Sequence, residues 1–495
     1  MNIKTIKLFN MKIRILYLLM FSVTLSLLQS CSSGADKTKT DTTAPKDTII
    51  PKEKFPVGQV IEKVTCQSDP AKSYAMYLPS TYSTDKKYPV IFAFDAHATG
   101  KLPVSKYKEL AEKYGYIVVG SNDSQNGLSW EESQAIGNMF FSDVQNRLSI
   151  NTKRIYTLGF SGGARVANGL TITNGGIAGA ICCGAAAPAA GGTDPRGNYT
   201  FLGIAGNKDF NYVEMRKYDM IDLAGRPVKH AFIEFDGKHE WPPLEVMNEA
   251  FLWTALNAMR SDTSLKNPAF IKENFEPYIT KLRELQKKKA AFETYKLVMK
   301  TINFFDGLTD LTECYKIYEP LKANADVDKG LKGEQVYWKK EGELKDYYIK
   351  AFQTQNVEWW KNDISSLNKK IKNDADKNEV LMYERTLDYL SLAAYMQTTG
   401  ALKQNSFPAA KMFCTIYLLV DPTNSEAHYL NASLCAIDQN QKEAIKSLNE
   451  AVKNGFTDIS RLQSDSVFSR INSSDEFKEI YKKINDANAQ ASQGK

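Results

Sequence analysis

A serine in a glycine elbow, an aspartate and a histidine occur in order along this chain, and together they could form a nucleophilic relay. Gly159-Phe160-Ser161-Gly162-Gly163 follows the apolar, strand-like run 154–158, and small residues lead out of it toward a helix. Such a strand-to-helix elbow projects a serine hydroxyl above a sheet edge. The hydroxyl attacks only if a histidine takes its proton and a carboxylate holds that histidine's tautomer. The chain has four histidines. His97 precedes the serine, and His428 lies in a helical stretch. His230 opens the strand-like run 229–235, whereas His239 leaves it through Asp236-Gly237-Lys238. A loop past the last strand suits the base, so His239 is preferred to His230. Asp209 leaves another such run, 199–205, through a glycine turn, and it is preferred to Asp236 as the orienting acid. Asp219 and Asp222 fall on the helix that follows.

The elements that must position this set read as alternating strands and helices. Runs 57–64 and 72–79 form an antiparallel opening pair, followed by a strand at 88–94. A helix near 103–114, a strand at 116–120 and a helix from about 130 to 148 precede the elbow. Further strands are expected at 179–185, 199–205 and 229–235. The alternation predicts an α/β fold, a mostly parallel sheet with helices on both faces and ligands bound at the strands' C-terminal ends. The oxyanion of an acyl-transfer intermediate needs backbone donors. One is expected from the N–H of Gly162 and the second from the Ala96–Ala98 turn around His97.

Gly237-Lys238-His239-Glu240-Trp241-Pro242-Pro243 resembles the G-x-H-x-W-P signature of the polyhydroxybutyrate depolymerase and feruloyl esterase branch of α/β-hydrolases. Residues 206–213, in which aromatic residues follow Asp209, are similar to that branch's G-x-x-D segment. The resemblance covers roughly residues 55–262. It implies a serine esterase with Ser161 as nucleophile, Asp209 as acid and His239 as base, and no cofactor. Trp241 is a candidate wall of the substrate pocket, or equally a packing anchor for the loop that carries His239. One departure stands out: the branch carries His-Gly after its third strand, where this chain reads Asp95-Ala96-His97-Ala98-Thr99-Gly100.

The N-terminus reads as a leader. Lys4, Lys7, Lys12 and Arg14 precede an apolar stretch from residue 15 to 28, and Leu28-Gln29-Ser30-Cys31 resembles a bacterial lipobox. The resemblance implies a lipoprotein signal peptide over 1–30, lipid on Cys31, and a membrane-anchored protein in the bacterial cell envelope. A polar tether follows at 31–54. The other six of the seven cysteines show no C-x-x-C spacing, so buried free thiols are expected and no metal site. A net charge of +6 spread over 495 residues does not point to nucleic acid.

From about residue 263 strand-like runs give way to apolar residues at helical spacing, and an all-α domain is expected over 263–495. Residues 406–455 resemble tetratricopeptide repeats, with Ala410, Ala432, Ala444 and Ala451 at the small positions where paired helices approach. Segments 283–300 and 308–322 look like a degenerate helix pair. Trp338, Trp359 and Trp360 read as core between helices. The repeats are a possible surface for a protein partner. The reading is an exported, membrane-anchored carboxylic-ester hydrolase acting on a polysaccharide-linked or other bulky ester. A serine peptidase and a non-catalytic binding lipoprotein are the alternatives.

Overall fold

The computed structural model describes residues 52–189, 197–373 and 376–493. The expected leader, Cys31 and most of the expected tether lie outside them. The strands are β1 (Val60–Thr65), β2 (Ser73–Tyr77), β3 (Tyr88–Phe94), β4 (Ile117–Ser121), β5 (Ile150–Phe160), β6 (Ile177–Cys183), β7 (Thr200–Gly206) and β8 (Lys229–Phe235). They form one sheet in the order β1-β2-β4-β3-β5-β6-β7-β8. β2 runs antiparallel to both of its neighbours, and every other adjacent pair is parallel. This is the arrangement of an α/β-hydrolase fold. β3 is buried along its whole length, as a parallel strand covered on both faces must be.

Helices α1 (Lys101–Lys106), α2 (Lys108–Tyr114), α3 (Trp130–Arg147), α4 (Gly162–Thr173), α5 (Tyr212–Lys217) and α6 (Leu244–Ser261) belong to this half. α3 starts where the sequence dictates. The Ser129 side chain accepts from the Glu132 N–H while the Glu132 carboxylate takes the Ser129 N–H, a reciprocal capping box. The helix expected at 103–114 is instead α1 and α2. The break falls at Tyr107, whose buried ring sends its hydroxyl to the Pro242 carbonyl at 2.8 Å.

The chain continues as helices α7 (Pro268–Lys287), α8 (Ala291–Phe305), α9 (Thr312–Leu321), α10 (Ala325–Thr354), α11 (Val357–Asn373) and α12 (Lys377–Lys403). After these come α13 (Phe407–Val420), α14 (Ser425–Ile437), α15 (Gln441–Lys453), α16 (Ile459–Ser464) and α17 (Asp475–Gln493). Segment 283–300 is not one helix, because the chain turns at Lys289 (φ 55°) between α7 and α8. In the 406–455 stretch, Ala410, Ala432, Ala444 and Ala451 are all fully buried where helices meet. Trp338 and Trp360 are core residues as well.

No gap in packing marks the change of character at 262. Ile279, Phe304 and Phe305 from α7 and α8 share one apolar cluster with Phe251, Trp253 and Leu256 of α6 and with sheet residues such as Ile233. Trp338 of α10 packs in a second cluster with Phe201 of β7 and Tyr212. Among the described residues no helix is long and apolar enough to cross a membrane.

Candidate active site

The site sits where β3, β5, β7 and β8 end together. Phe94 of β3 is in register with Gly159 of β5, and Gly206 of β7 with Phe235 of β8. The chain leaving β5 must reverse at once into α4. Ser161 absorbs that reversal at φ 55° and ψ −124°, a conformation rare for a residue with a side chain. The neighbouring glycines make the turn possible. A Cβ on Gly159 would lie 2.3 Å from the Gly163 carbonyl oxygen, and one on Gly163 would lie 2.1 Å from that of Phe94.

The chain leaving β8 brings His239 onto the serine, with Nε2 2.9 Å from Ser161 Oγ. Its Nδ1 lies 2.9 Å from Asp209 Oδ1. Asp209 is 1% exposed, and the same oxygen also accepts the Asn211 N–H at 2.7 Å. The imidazole lies between two aromatic rings, Phe160 at 4.7 Å and Phe210 at 4.1 Å. The alternatives weighed in the sequence lie elsewhere: His230 pairs with Asp219 at 2.8 Å, and the exposed Asp236 with Lys208 at 3.3 Å.

Two expectations change. The His97 N–H donates to Asp95 Oδ1 at 2.9 Å, and its side chain is 82% exposed. A donor already engaged by a carboxylate cannot also receive an oxyanion, so His97 is not the second donor. Within the same turn, no hydrogen bond among the described residues occupies the N–H of Ala96, nor that of Gly162. Trp241, expected as a pocket wall, is only 6% exposed. Its indole N–H donates to Asp95 Oδ2 at 2.9 Å, and its ring packs on Phe160 and Tyr107. Asp95 thus ties the turn after β3 to the loop that carries His239.

Other residues of the site carry no motif. Asn126 donates its N–H to the Ala96 carbonyl at 2.8 Å, and His97 bridges to Gln125, so a second loop is laced to the turn. The Asn126 carboxamide lies so close to Gly162 that a Cβ there would meet its Oδ1 at 1.7 Å. On the other side, the loop around Asp209 is gripped by the helical region. Arg385 of α12 donates to the Asn207 carbonyl at 2.9 Å, and Lys345 of α10 to that of Phe210 at 2.8 Å. Both cations are held by Glu341, each at 2.7 Å. Nothing periodic in the sequence announces residues that act so far from their own helices.

Burial pushes the thiols of Cys182 and Cys183 well above their ordinary range, so neither offers a thiolate beside the relay. The described cysteines are unpaired, and no group of side chains among the described residues could hold a metal ion.

No protein-family model matches the sequence, and no curated protein matches it. Solved structures similar in fold include a hyperthermophilic esterase from the archaeon Pyrobaculum calidifontis (13% identical, 42% of this chain and 87% of that one covered, TM-score 0.33). An S-formylglutathione hydrolase from Agrobacterium tumefaciens (14%, 40% and 92%, TM-score 0.31) is another. A ferulic acid esterase (13%, 39% and 94%, TM-score 0.30) is a third. These likenesses concern the fold alone, and the chemistry is argued from the residues.

Proposed function

We propose that this chain is a serine hydrolase of carboxylic esters. The observation that carries the reading is the continuous relay from Ser161 Oγ through His239 to Asp209, with 2.9 Å at each step, built on a serine held in a strained turn. Ser161 Oγ attacks the ester carbonyl carbon while His239 Nε2 takes its proton. Asp209 holds Nδ1–H and offsets the imidazolium charge. The oxyanion is received by the N–H groups of Gly162 and Ala96. Collapse expels the alcohol, which leaves with the proton from His239. Water, deprotonated by the same imidazole, then attacks the acyl-serine and releases the acid.

The substrate proposed is an ester displayed on a bulky molecule such as a polysaccharide. Cys31 is proposed to carry the lipid that anchors the protein in the bacterial envelope, and helices α13–α15 to offer a tetratricopeptide-like surface to a protein partner. The test is labelling of the purified chain with a fluorophosphonate probe, followed by rates on p-nitrophenyl acetate, feruloyl esters, acetylated sugars and peptide anilides. Labelling of the wild type that is lost in Ser161→Ala is expected, with esters turned over faster than anilides. Labelling that survives in Ser161→Ala overturns the nucleophile, and faster anilide cleavage overturns the choice of ester.

A further inference from the structure

The loop that carries Asp209 divides its hydrogen bonds between the two halves of the chain. Its N–H groups are taken within the α/β half. That of Asn207 donates to the Phe235 carbonyl at 2.8 Å, that of Lys208 to Gly237 at 2.9 Å, and that of Asp209 to Gly206 at 3.1 Å. The carbonyls on either side of Asp209 are served differently. Among the described residues, Arg385 alone donates to the Asn207 carbonyl and Lys345 alone to that of Phe210.

Arg385 reaches the far end of the same segment as well. Its guanidinium lies 5.0 Å from the centroid of the ring of Tyr212, the first residue of α5. Tyr212 is buried and sends its hydroxyl to Glu234 of β8. One side chain therefore spans the segment 207–212, with Asp209 inside it. A buried cation is costly unless it is paired. Glu341 supplies the pairing, with Oε2 2.7 Å from Arg385 Nε and Oε1 2.7 Å from Lys345 Nζ. The fork of the guanidinium then has a second nitrogen left for Asn207, which the single point of an ammonium would not offer.

Such a seat matters because a catalytic group must be held within about 0.5 Å of its productive place. A misplacement of about 1 Å, even from a distant change, can cost about a hundredfold in rate.

We propose that Arg385 is a positioning residue of the hydrolase site: from α12 it seats the 207–212 segment so that Asp209 meets His239, and Glu341 and Lys345 of α10 hold it there. The site is complete only with both helices in place. This rests on the serine-hydrolase reading, and the two can fail separately.

The experiment measures kcat and KM of the full chain on p-nitrophenyl acetate for Arg385→Lys, in the wild-type background and in Asp209→Asn, with the unfolding temperature recorded alongside. Lysine keeps a positive charge beside Glu341 but gives up the forked reach to Asn207. In the wild-type background kcat should fall by roughly ten- to hundredfold, with KM within about twofold. In Asp209→Asn the same substitution should change kcat by less than about twofold, because a residue acting through Asp209 has nothing left to position. An unchanged kcat overturns the proposal, and so does a loss confined to KM. A loss as large in Asp209→Asn as in the wild-type background overturns it too, since it marks a merely structural residue. Should Arg385→Lys fail to fold, Lys345→Met, which leaves the Arg385–Glu341 pair in place, decides by the same comparison of backgrounds. A wild type that neither turns over the ester nor takes a fluorophosphonate label removes the serine-hydrolase reading and this inference with it.

Discussion

The two loops that flank Ser161 are held in opposite ways. On the side of the proposed oxyanion donors, the turn after β3 is fixed from within the α/β half. Asp95 takes the His97 N–H and the Trp241 indole, and Asn126 donates to the Ala96 carbonyl. On the acid side, the loop after β7 is fixed from outside. Arg385 reaches Asn207 across 178 residues of chain, and Lys345 reaches Phe210, both steadied by a buried glutamate. The donors of the first side are set by the fold that creates the elbow. The acid of the second depends on whether a separate set of helices is docked.

The largest effect should come from the carboxylate that the second arrangement holds. Asp209→Asn keeps the shape of the loop but forces the wrong imidazole tautomer, and kcat should fall about ten-thousand-fold with the fold intact. A steady-state assay on an activated ester checks this, and a loss below tenfold would show that Asp209 does not orient His239.

Next comes the remote grip. Glu341 is 1% exposed and bonded to two cations, and Glu341→Gln leaves them uncompensated. A loss on the order of 3 kcal/mol in unfolding free energy is expected, together with lower turnover. Urea unfolding and kcat measured on one preparation test whether the two fall together. Unchanged values for both would show the grip to be idle.

The local tie should behave differently. Trp241→Phe keeps an aromatic ring against Phe160 and Tyr107 but deprives buried Asp95 of one donor, for a cost of about 1–3 kcal/mol. That loss should appear mainly in kcat/KM, because the strands on either side hold the loops in register. A fall in unfolding temperature as large as that of Glu341→Gln would erase the distinction between the two sides.

The smallest effect concerns pH. Burial raises the folded-state pKa of Asp388, on α12, to about 6, so the native state holds its proton more tightly than the unfolded chain does. Its stabilising contribution is complete below the ordinary carboxyl range and is lost as pH rises through about 6. Asp388→Asn should therefore match the wild type in unfolding temperature at low pH and exceed it modestly at pH 8. A variant less stable than wild type at pH 8 would contradict that sign.

The relay was legible because each member follows its own strand through a short glycine turn, so order along the chain carries the geometry. Asp209 and His239 needed no knowledge of distant contacts. The turn expected to supply the second oxyanion donor is readable from the chain, but not that Asp95 engages the His97 N–H within it, in a turn where Ala98 adopts φ 58°. Trp241 reads from the chain equally as pocket wall and as loop anchor, and what decides for the anchor is a carboxylate 146 residues away. Glu341, Lys345 and Arg385 do not show in the sequence, because on amphipathic helices rich in charge they look like any solvated face. The helices themselves could be read from periodicity, but their seat on the sheet could not.

The apolar cluster that runs unbroken across residue 262 bears on how the protein melts. Trp253 of α6 meets Phe304 of α8 at 5.1 Å, and a chain ending at α6 would bare that ring and its neighbours to water. Docking the helices covers that surface, so a chain ending at α6 should unfold at a lower temperature than residues 52–493.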